Sequence, residues 1–441
     1  MKRIYPALLL WLTSMGAMAQ GASAFTFENE SALSQWTAAG GVLSISGEHY
    51  KDGEKSLCWE ASNGDMMTAS FNALQTSGAA FFYIYNCKVS EDILVIDFMR
   101  NDDVKRTAKV ALNFKGWRDF DRLYSEYTNG GTTTINKVRF TLQTSDNAKK
   151  KIFFDSVNFN ATANSGREHG YHMILDRAQL TGGTSRLDIY ANPIDIADEP
   201  TEEEIADFEA IRDNLKEKLG FKPSGNITSI NAARQYAKGF NIVRNEDGTV
   251  RGDVIDTRAN SEVMTTDNLI TLSKHVSALA AAATKTTAKD SDKELFENFI
   301  DHLLDQGIAE GIKYKIAANA YTPIKEVPKG FLQAMDAYTP EQRVEMLKMI
   351  KWLSEFGMAF YPEGSYLNRF DSDVIYTYLP TFFGYVISQP TEKEGVTQLK
   401  AMKRFLERNT EYSLGGRDIL KPDGTGFHHS THYNNYIISV H

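Results

Sequence analysis

Cysteine is nearly absent: Cys58 and Cys87 are the only two in 441 residues. That excludes a disulfide-stapled scaffold and any cysteine-rich metal site. The two could pair in an oxidising compartment or stay buried as free thiols, and the residues favour neither. Basic excess is missing too. Lys+Arg number 48 against 57 Asp+Glu, a formal charge of −9, so the electrostatic footprint of a general nucleic-acid binder is lacking. A local basic cleft for an acidic ligand is still compatible with that balance. Beyond the N-terminus no apolar run reaches the ~20 residues of a membrane span. With 42% hydrophobic and 24% charged residues, the chain is neither low-complexity nor collagen-like, and its length predicts two to four domains.

What is present begins with a targeting pattern. Met1-Lys2-Arg3 is basic, Tyr5 to Leu12 is apolar, and Ala17-Met18-Ala19 is a small-x-small site before Gln20. This reads as a cleavable signal peptide over residues 1–19, and it predicts a secreted or periplasmic protein.

Residues 20–165 read as short alternating runs, such as Gly41-Val42-Leu43-Ser44-Ile45 and Ile93 to Phe98, separated by Lys51-Asp52-Gly53, Asn63-Gly64-Asp65 and Asn129-Gly130-Gly131. Period-2 runs at that spacing predict an antiparallel β jelly-roll sandwich. Residues 166–199 are expected to be a linker. From residue 200 the period becomes helical. Thr201-x-x-Glu204 is a capping box ahead of a stripe of Ile205, Phe208, Ile211, Leu215 and Leu219, closed by Gly220. Ser291-x-x-Glu294 predicts a second start, with Gly307 its stop, and Thr339-Pro340-x-Gln342 a third, running to about Gly357. Further helices are expected near 265–286, 371–388 and 393–409. Consecutive helices of similar length predict helical hairpins in an incomplete α/α toroid over 200–441, or else a plain bundle.

The chemistry concentrates near the C-terminal end, Asp423-Gly424-Thr425-Gly426-Phe427-His428-His429-Ser430-Thr431-His432-Tyr433-Asn434-Asn435-Tyr436. Three of the nine histidines fall within five residues. Three readings stand open: a plain surface loop; a metal site on His428 and His432, short of a third ligand unless Asp423 serves; or metal-free proton transfer by a His/Tyr pair.

Asp423-Gly424-Thr425-x-Phe427-x-His429 with Tyr436 resembles the active-site loop of the chondroitin sulfate ABC lyase family. Leu112-Asn113-Phe114-Lys115-Gly116-Trp117-Arg118 resembles a segment of that family's N-terminal sandwich. His302-Leu303-Leu304-Asp305-Gln306-Gly307 resembles a helix end in its toroid, and Asp371-Ser372-Asp373 fits as well. The resemblance implies β-elimination at a uronic acid. In it Tyr436 and His429 are catalytic, Asn319 neutralises the uronate carboxylate, and His428, His432 and Asn435 are substrate contacts; Asn319 reads equally as a helix-terminal cap, and Arg417 as a fork for a sulfate or carboxylate or as a solvated loop charge. It implies no catalytic cofactor. The partner it implies is an acidic polysaccharide: chondroitin sulfate, dermatan sulfate or hyaluronan. Nucleic acid and a membrane span are not expected, and the protein is expected to be a monomer. Where broad-specificity relatives carry a His-His pair, this chain reads Ile316-Ala317-Ala318-Asn319-Ala320-Tyr321, which disfavours iduronate substrates. The family's later catalytic Arg and Glu have no counterpart before His441. The chain is therefore expected to be a truncated lyase or a fragment, a poor catalyst by itself with a sandwich that folds alone.

Glu28 and Asp155, near the first and last strands, form a candidate structural Ca2+ pair, equally readable as exposed strand carboxylates. Two other functions compete. One is a glycan-binding, catalytically incomplete fragment, with Trp36, Trp59 and Trp117 read either as sugar platforms or, for most of them, as core. The other is an α/α-toroid glycoside hydrolase, which needs paired carboxylates.

Overall fold

The computed structural model describes residues 23–127, 132–146, 148–162, 171–175, 194–196, 198–246, 248–255, 266–312, 321–360, 372–409, 411–412, 419–428 and 431–432. The signal segment, His429, Tyr436, Asn435, Arg417 and Asn319 lie outside these residues, as does the His428 side chain.

Eleven strands build an antiparallel sandwich. They are β1 (Ala24–Phe25), β2 (Trp36–Ala39), β3 (Val42–Ser46), β4 (Ser56–Ala61), β5 (Met66–Gln75), β6 (Ala79–Asn86), β7 (Ile93–Arg100), β8 (Asp103–Ala111), β9 (Gly116–Leu123), β10 (Thr134–Gln143) and β11 (Lys150–Ala161). One sheet runs β3-β4-β11-β6-β9 with β1 on β11, and the other runs β2-β5-β10-β7-β8. The second sheet alternates buried and open positions, as a half-solvated antiparallel sheet does. The first does not. All eight residues of β6, Ala-Ala-Phe-Phe-Tyr-Ile-Tyr-Asn, are buried. Phe82 and Ile84 face the inter-sheet core, whereas Phe81, Tyr83 and Tyr85 join Cys58, Trp117 and Phe153 in a separate cluster on the opposite face. A strand covered on both sides has no use for polar alternation, which explains why this sequence reads as one apolar run.

Trp36, Trp59 and Trp117 are all buried. Their candidacy as sugar platforms is thereby corrected: Trp36 and Trp59 pack in the inter-sheet core and Trp117 in the outer cluster. The two cysteines are free. Cys58 of β4 faces Phe153 of β11, and Cys87 follows Asn86, which faces Ile152 of the same strand. With β11 between them they are separated by two strand spacings, about 9–10 Å, and by a further two-residue offset along the strands, beyond disulfide reach. Burial pushes the Cys58 thiol up to about 12.

Tyr171–Met173 form a 3-10 turn within the stretch expected to link the two parts. Ile174 then bridges to Val110 of β8, and Met173 and Ile174 are buried with the sandwich core.

Eight helices follow among the described residues: α1 (Glu202–Lys218), α2 (Ile227–Lys238), α3 (Thr266–Ala283), α4 (Asp290–Asp305), α5 (Tyr321–Gln333), α6 (Pro340–Ser354), α7 (Ser372–Ile387) and α8 (Glu392–Asn409). The capping boxes at Thr201/Glu204 and Thr339/Gln342 form as the sequence predicts. Gly220 and Gly307 stop their helices at φ +66° and +87°, where a side chain is strained. Three details differ. The N-cap of α4 is Lys289, without a side-chain cap bond, so Ser291 already lies inside the helix; Arg234 holds Asp292 of its first turn through two hydrogen bonds. Glu355, not Gly357, takes the left-handed position ending α6. Ile211 is 38% exposed and leaves the α1 stripe.

Among the helices, α3 meets α5 and α5 meets α7, while α2 meets α4 and α4 meets α6. Two rows of alternate helices thus lie side by side. The inner approach is close. A Cβ on Gly330 of α5 would stand 2.0 Å from the Ser273 carbonyl oxygen of α3, and the Gly330 amide donates to Ser273 Oγ at 2.9 Å. Because the obstructing atom is backbone, Gly330→Ala is expected to cost about 1–3 kcal/mol. Urea unfolding monitored by far-ultraviolet circular dichroism checks this, and an unchanged midpoint would contradict it.

Candidate functional site

The C-terminal chemistry is mounted on a small antiparallel sheet of β14 (Ile419–Leu420), β15 (Gly426–His428) and β16 (Thr431–His432). β15 is central: Phe427 pairs with Ile419 and with His432, and His428 pairs with Thr431. Between β14 and β15, Gly424 adopts φ +81°. Its amide donates to the Lys421 carbonyl at 2.9 Å, and the Lys421 amide to the Thr425 carbonyl at 2.8 Å. Asp423 Oδ1 accepts from the Thr425 amide at 3.0 Å and from its hydroxyl at 2.6 Å. These bonds hold the Asp423 carboxyl below its ordinary range, with His432 contributing charge. Asp423 is thus a turn anchor, not a poised acid. Lys421 is buried and lies 4.6 Å over the Phe427 ring. His432 also stands beside that ring, at 6.0 Å between centroids, and is exposed.

The Asp-Gly-Thr segment therefore turns the chain so that the His428–His432 strands form. Of the sequence-derived site residues, the structure brings the His428 backbone and His432 onto one sheet, with Asp423 in the turn that leads into it. Glu28 and Asp155 lie elsewhere, in the sandwich.

Those two brace a single turn. Asp155 is fully buried. Its Oδ2 accepts the Lys51 and Asp52 amides at 2.7 and 2.8 Å, and its Oδ1 the Ser156 amide at 2.7 Å. Burial outweighs these donors and raises Asp155 to about 7. Glu28 Oε2 accepts the Glu54 amide at 3.1 Å. Asp155 is therefore not an exposed strand carboxylate. Among the described residues no group of three or more His, Cys, Asp or Glu is disposed to hold a metal. Amide donors occupy the oxygens of Asp155.

The turn braced by Asp155 carries a junction that sequence reasoning missed. Lys51 is buried, and its Nζ donates to the carbonyls of Ile255 and Gln306 at 2.8 and 2.7 Å. Tyr85 donates from its hydroxyl to Asp305 Oδ1 at 2.6 Å. A Cβ on Gly116 would lie 2.7 Å from the Asp305 carbonyl oxygen, and one on Gly307 2.7 Å from that of Trp117. The two stretches Leu112–Arg118 and His302–Gly307 are therefore in direct backbone contact. The end of α4 thus covers the Tyr85 and Trp117 part of the aromatic outer face, and His49 stacks on Tyr85 and Phe153 beside it.

Buried titratable groups gather there. His302 Nε2 donates to the Asp253 carbonyl at 2.9 Å, and burial lowers its pKa to about 4. Asp305 rises to about 6, burial outweighing the Tyr85 and Gln306 bonds. An unfolded Asp titrates near ~3.9. The protonated folded form is thus favoured, and its contribution is full below pH ~4 and lost as pH rises through about 6. Asp305→Asn mimics the protonated group. It is expected to match the wild type near pH 4 and to exceed it by on the order of 2–3 kcal/mol at pH 8. Denaturant unfolding across that range checks it, and a parallel pair of pH profiles would refute it.

With this geometry established, comparison with known proteins assigns the class. Residues 21–170 match the family described as "Lyase, N terminal", and residues 194–441 match "Lyase, catalytic". The chain belongs to this lyase family. Among curated relatives, a chondroitin sulfate ABC exolyase of Proteus vulgaris is 21% identical over 457 residues, covering 93% of this chain and 45% of that protein. A chondroitin sulfate ABC exolyase of Bacteroides thetaiotaomicron is 22% identical, covering 94% of this chain and 44% of its own. A chondroitin sulfate ABC endolyase of Proteus vulgaris is 20% identical, covering 90% and 44%. The chain spans less than half the length of these relatives.

Proposed function

We propose that this chain contributes the sandwich and the proton-transfer loop of a glycosaminoglycan lyase acting on chondroitin sulfate-type polysaccharides. The match of residues 194–441 to the catalytic lyase family, which includes the Asp423 turn and the histidine sheet, carries the reading. In the proposed reaction the Tyr436 oxygen takes the C5 proton of the uronate. The C5 electron pair becomes the C4=C5 double bond, the C4–O bond breaks, and Tyr436 returns the proton to the leaving oxygen. A Tyr hydroxyl starts near ~10, so it needs the hydrogen-bond partner that we assign to His429. Asn319 neutralises the carboxylate as charge builds, the task of an oxyanion hole. His428, His432, Asn435 and Arg417 contact substrate. We further propose that the two rows of alternate helices are part of an α/α toroid and that the protein is exported, on the basic and apolar pattern of residues 1–19.

The test is absorbance at the short-wavelength end of the ultraviolet on adding chondroitin sulfate. A lyase generates a conjugated unsaturated uronate, whereas a hydrolase or a binding module leaves the absorbance flat. Glucuronate-containing chains are expected to be cleaved faster than dermatan sulfate, because iduronate presents its C5 proton on the opposite face from Tyr436. Equal initial rates on the two purified polymers would contradict the assignment of a single base.

A further inference from the structure

The junction uses Gly116 and Trp117 of the Leu112–Arg118 stretch and leaves its two cations over. Between β9, α4, α6 and the hairpin of β12 (Val243–Arg244) and β13 (Val250–Arg251) lies a cleft of about 280 Å³. Its walls include Lys115, Arg118, Asp301, Asp305, Glu341 and Glu345. None of its lining residues belongs to the sheet at 419–432.

Arg118 is 5% exposed. Its guanidinium lies 5.3 Å from the Phe114 ring, and Nη1 donates to the Trp117 carbonyl at 2.8 Å. Nε is buried without an acceptor. Glu345, Glu310, Asp119 and Asp305 surround it electrostatically, yet among the described residues none makes an ion pair with it. The nearby carboxylates are already engaged. Asp301 pairs with Arg244 and accepts from Gln342 at 2.8 Å. Glu345 pairs with Lys348 at 2.7 Å. Asp305 is taken by Tyr85 and Gln306. Among the residues that line the cleft, Lys115 and Arg118 therefore face a single unengaged carboxylate, Glu341, while Glu310 and Asp119 lie near Arg118 without lining it. The first turn of α6, capped at Thr339, opens on the same space. A guanidinium desolvated without a carboxylate costs several kcal/mol, and its planar fork suits an oxyanion.

We propose that this cleft binds one anionic saccharide unit through its sulfate or carboxylate, as a second glycan site apart from the 419–432 sheet. The anion is assigned from Arg118 and Lys115. Glu341 favours a saccharide over a bare anion, because sugar hydroxyls can donate to it while the charged group meets Arg118. The volume suits a sugar unit or two, not a polymer segment. The choice of an anionic sugar rests on the proposed lyase function.

The test is calorimetric titration of the purified protein with a monosulfated unsaturated chondroitin disaccharide and, separately, with sodium sulfate, at ionic strength matched by chloride. The disaccharide is expected to bind at least about ten-fold more tightly than sulfate. Lys115→Ala, at an exposed position, is expected to weaken it about ten-fold with the unfolding midpoint unchanged. Arg118→Lys should weaken it further, by loss of the fork. Equal affinities for wild type and Lys115→Ala, or a disaccharide no tighter than sulfate, would overturn the proposal. The disaccharide has no glycosidic bond left to eliminate, so the readout is independent of turnover. An active lyase that fails this titration refutes the cleft alone, and binding by a protein without lyase activity refutes only the reaction.

Discussion

In the full-length enzyme, Tyr436→Phe is expected to lower turnover of chondroitin sulfate by about 10²–10⁴ or more, with substrate binding changed by less than about two-fold. The size follows from one oxygen serving twice, as base toward C5 and as acid toward the leaving oxygen. Removing it blocks both transfers, whereas the carboxylate and sulfate contacts that set binding stay in place. Initial rates from ultraviolet absorbance, paired with direct binding of the polymer to the inactive variant, separate the two quantities. Retention of more than half of wild-type turnover would remove Tyr436 from the reaction. His429→Ala should behave in the same direction, because the tyrosine then loses the partner that makes its proton transferable.

The second large effect is expected at Gly116. This residue sits at φ +84°, and a Cβ there would meet the Asp305 carbonyl oxygen, the Asp305 Cα and the Leu304 carbonyl oxygen at 2.7–2.8 Å. All three are backbone atoms at the end of α4, so no side chain can swing aside. Gly116→Ala must either distort β9 or push α4 away, and pushing it away breaks the Tyr85–Asp305 and Lys51–Gln306 bonds nearby. Left-handed strain and overpacking together are worth about 2–5 kcal/mol. Scanning calorimetry should show the sandwich and the helices unfolding in separate steps in the variant. A single transition at the wild-type temperature would show that the junction does not couple them.

Local signals were readable in the sequence wherever the deciding physics is local. Thr201/Glu204 and Thr339/Gln342 cap their helices through bonds three residues long, and Gly220 and Gly307 stop theirs through one dihedral angle. Two helices escaped the reading. α5 contains Pro328, which argues for a break, and α2 starts from Asn226 without a Glu or Gln partner. The junction escaped for a different reason. Lys51 and Gln306 are 255 positions apart, and Lys51-Asp52-Gly53 has the composition of an ordinary turn. Only the fold shows that this turn reaches into the helical part. Leu112–Arg118 and His302–Gly307 were both conspicuous as resemblances, yet their mutual contact is invisible in one dimension. In the candidate site the Asp423 turn is local chemistry, yet Asp423 entered the sequence analysis only as a possible metal ligand. The partners of the histidines are set by tertiary placement.

The double-sided burial of β6 has a consequence for how the chain is made. Tyr83, Tyr85 and Trp117 meet the end of α4 and the residues just after it, and roughly 145 residues separate the last sandwich strand from Gly307. At about 5–20 residues per second, a ribosome needs on the order of 7–30 s to cross that interval. Throughout it, a sandwich that had already closed would carry a bare aromatic face on the nascent chain. Such a face is adhesive, so synthesis rewards either delayed closure of the sandwich or a chaperone that shields this sheet until the helices arrive.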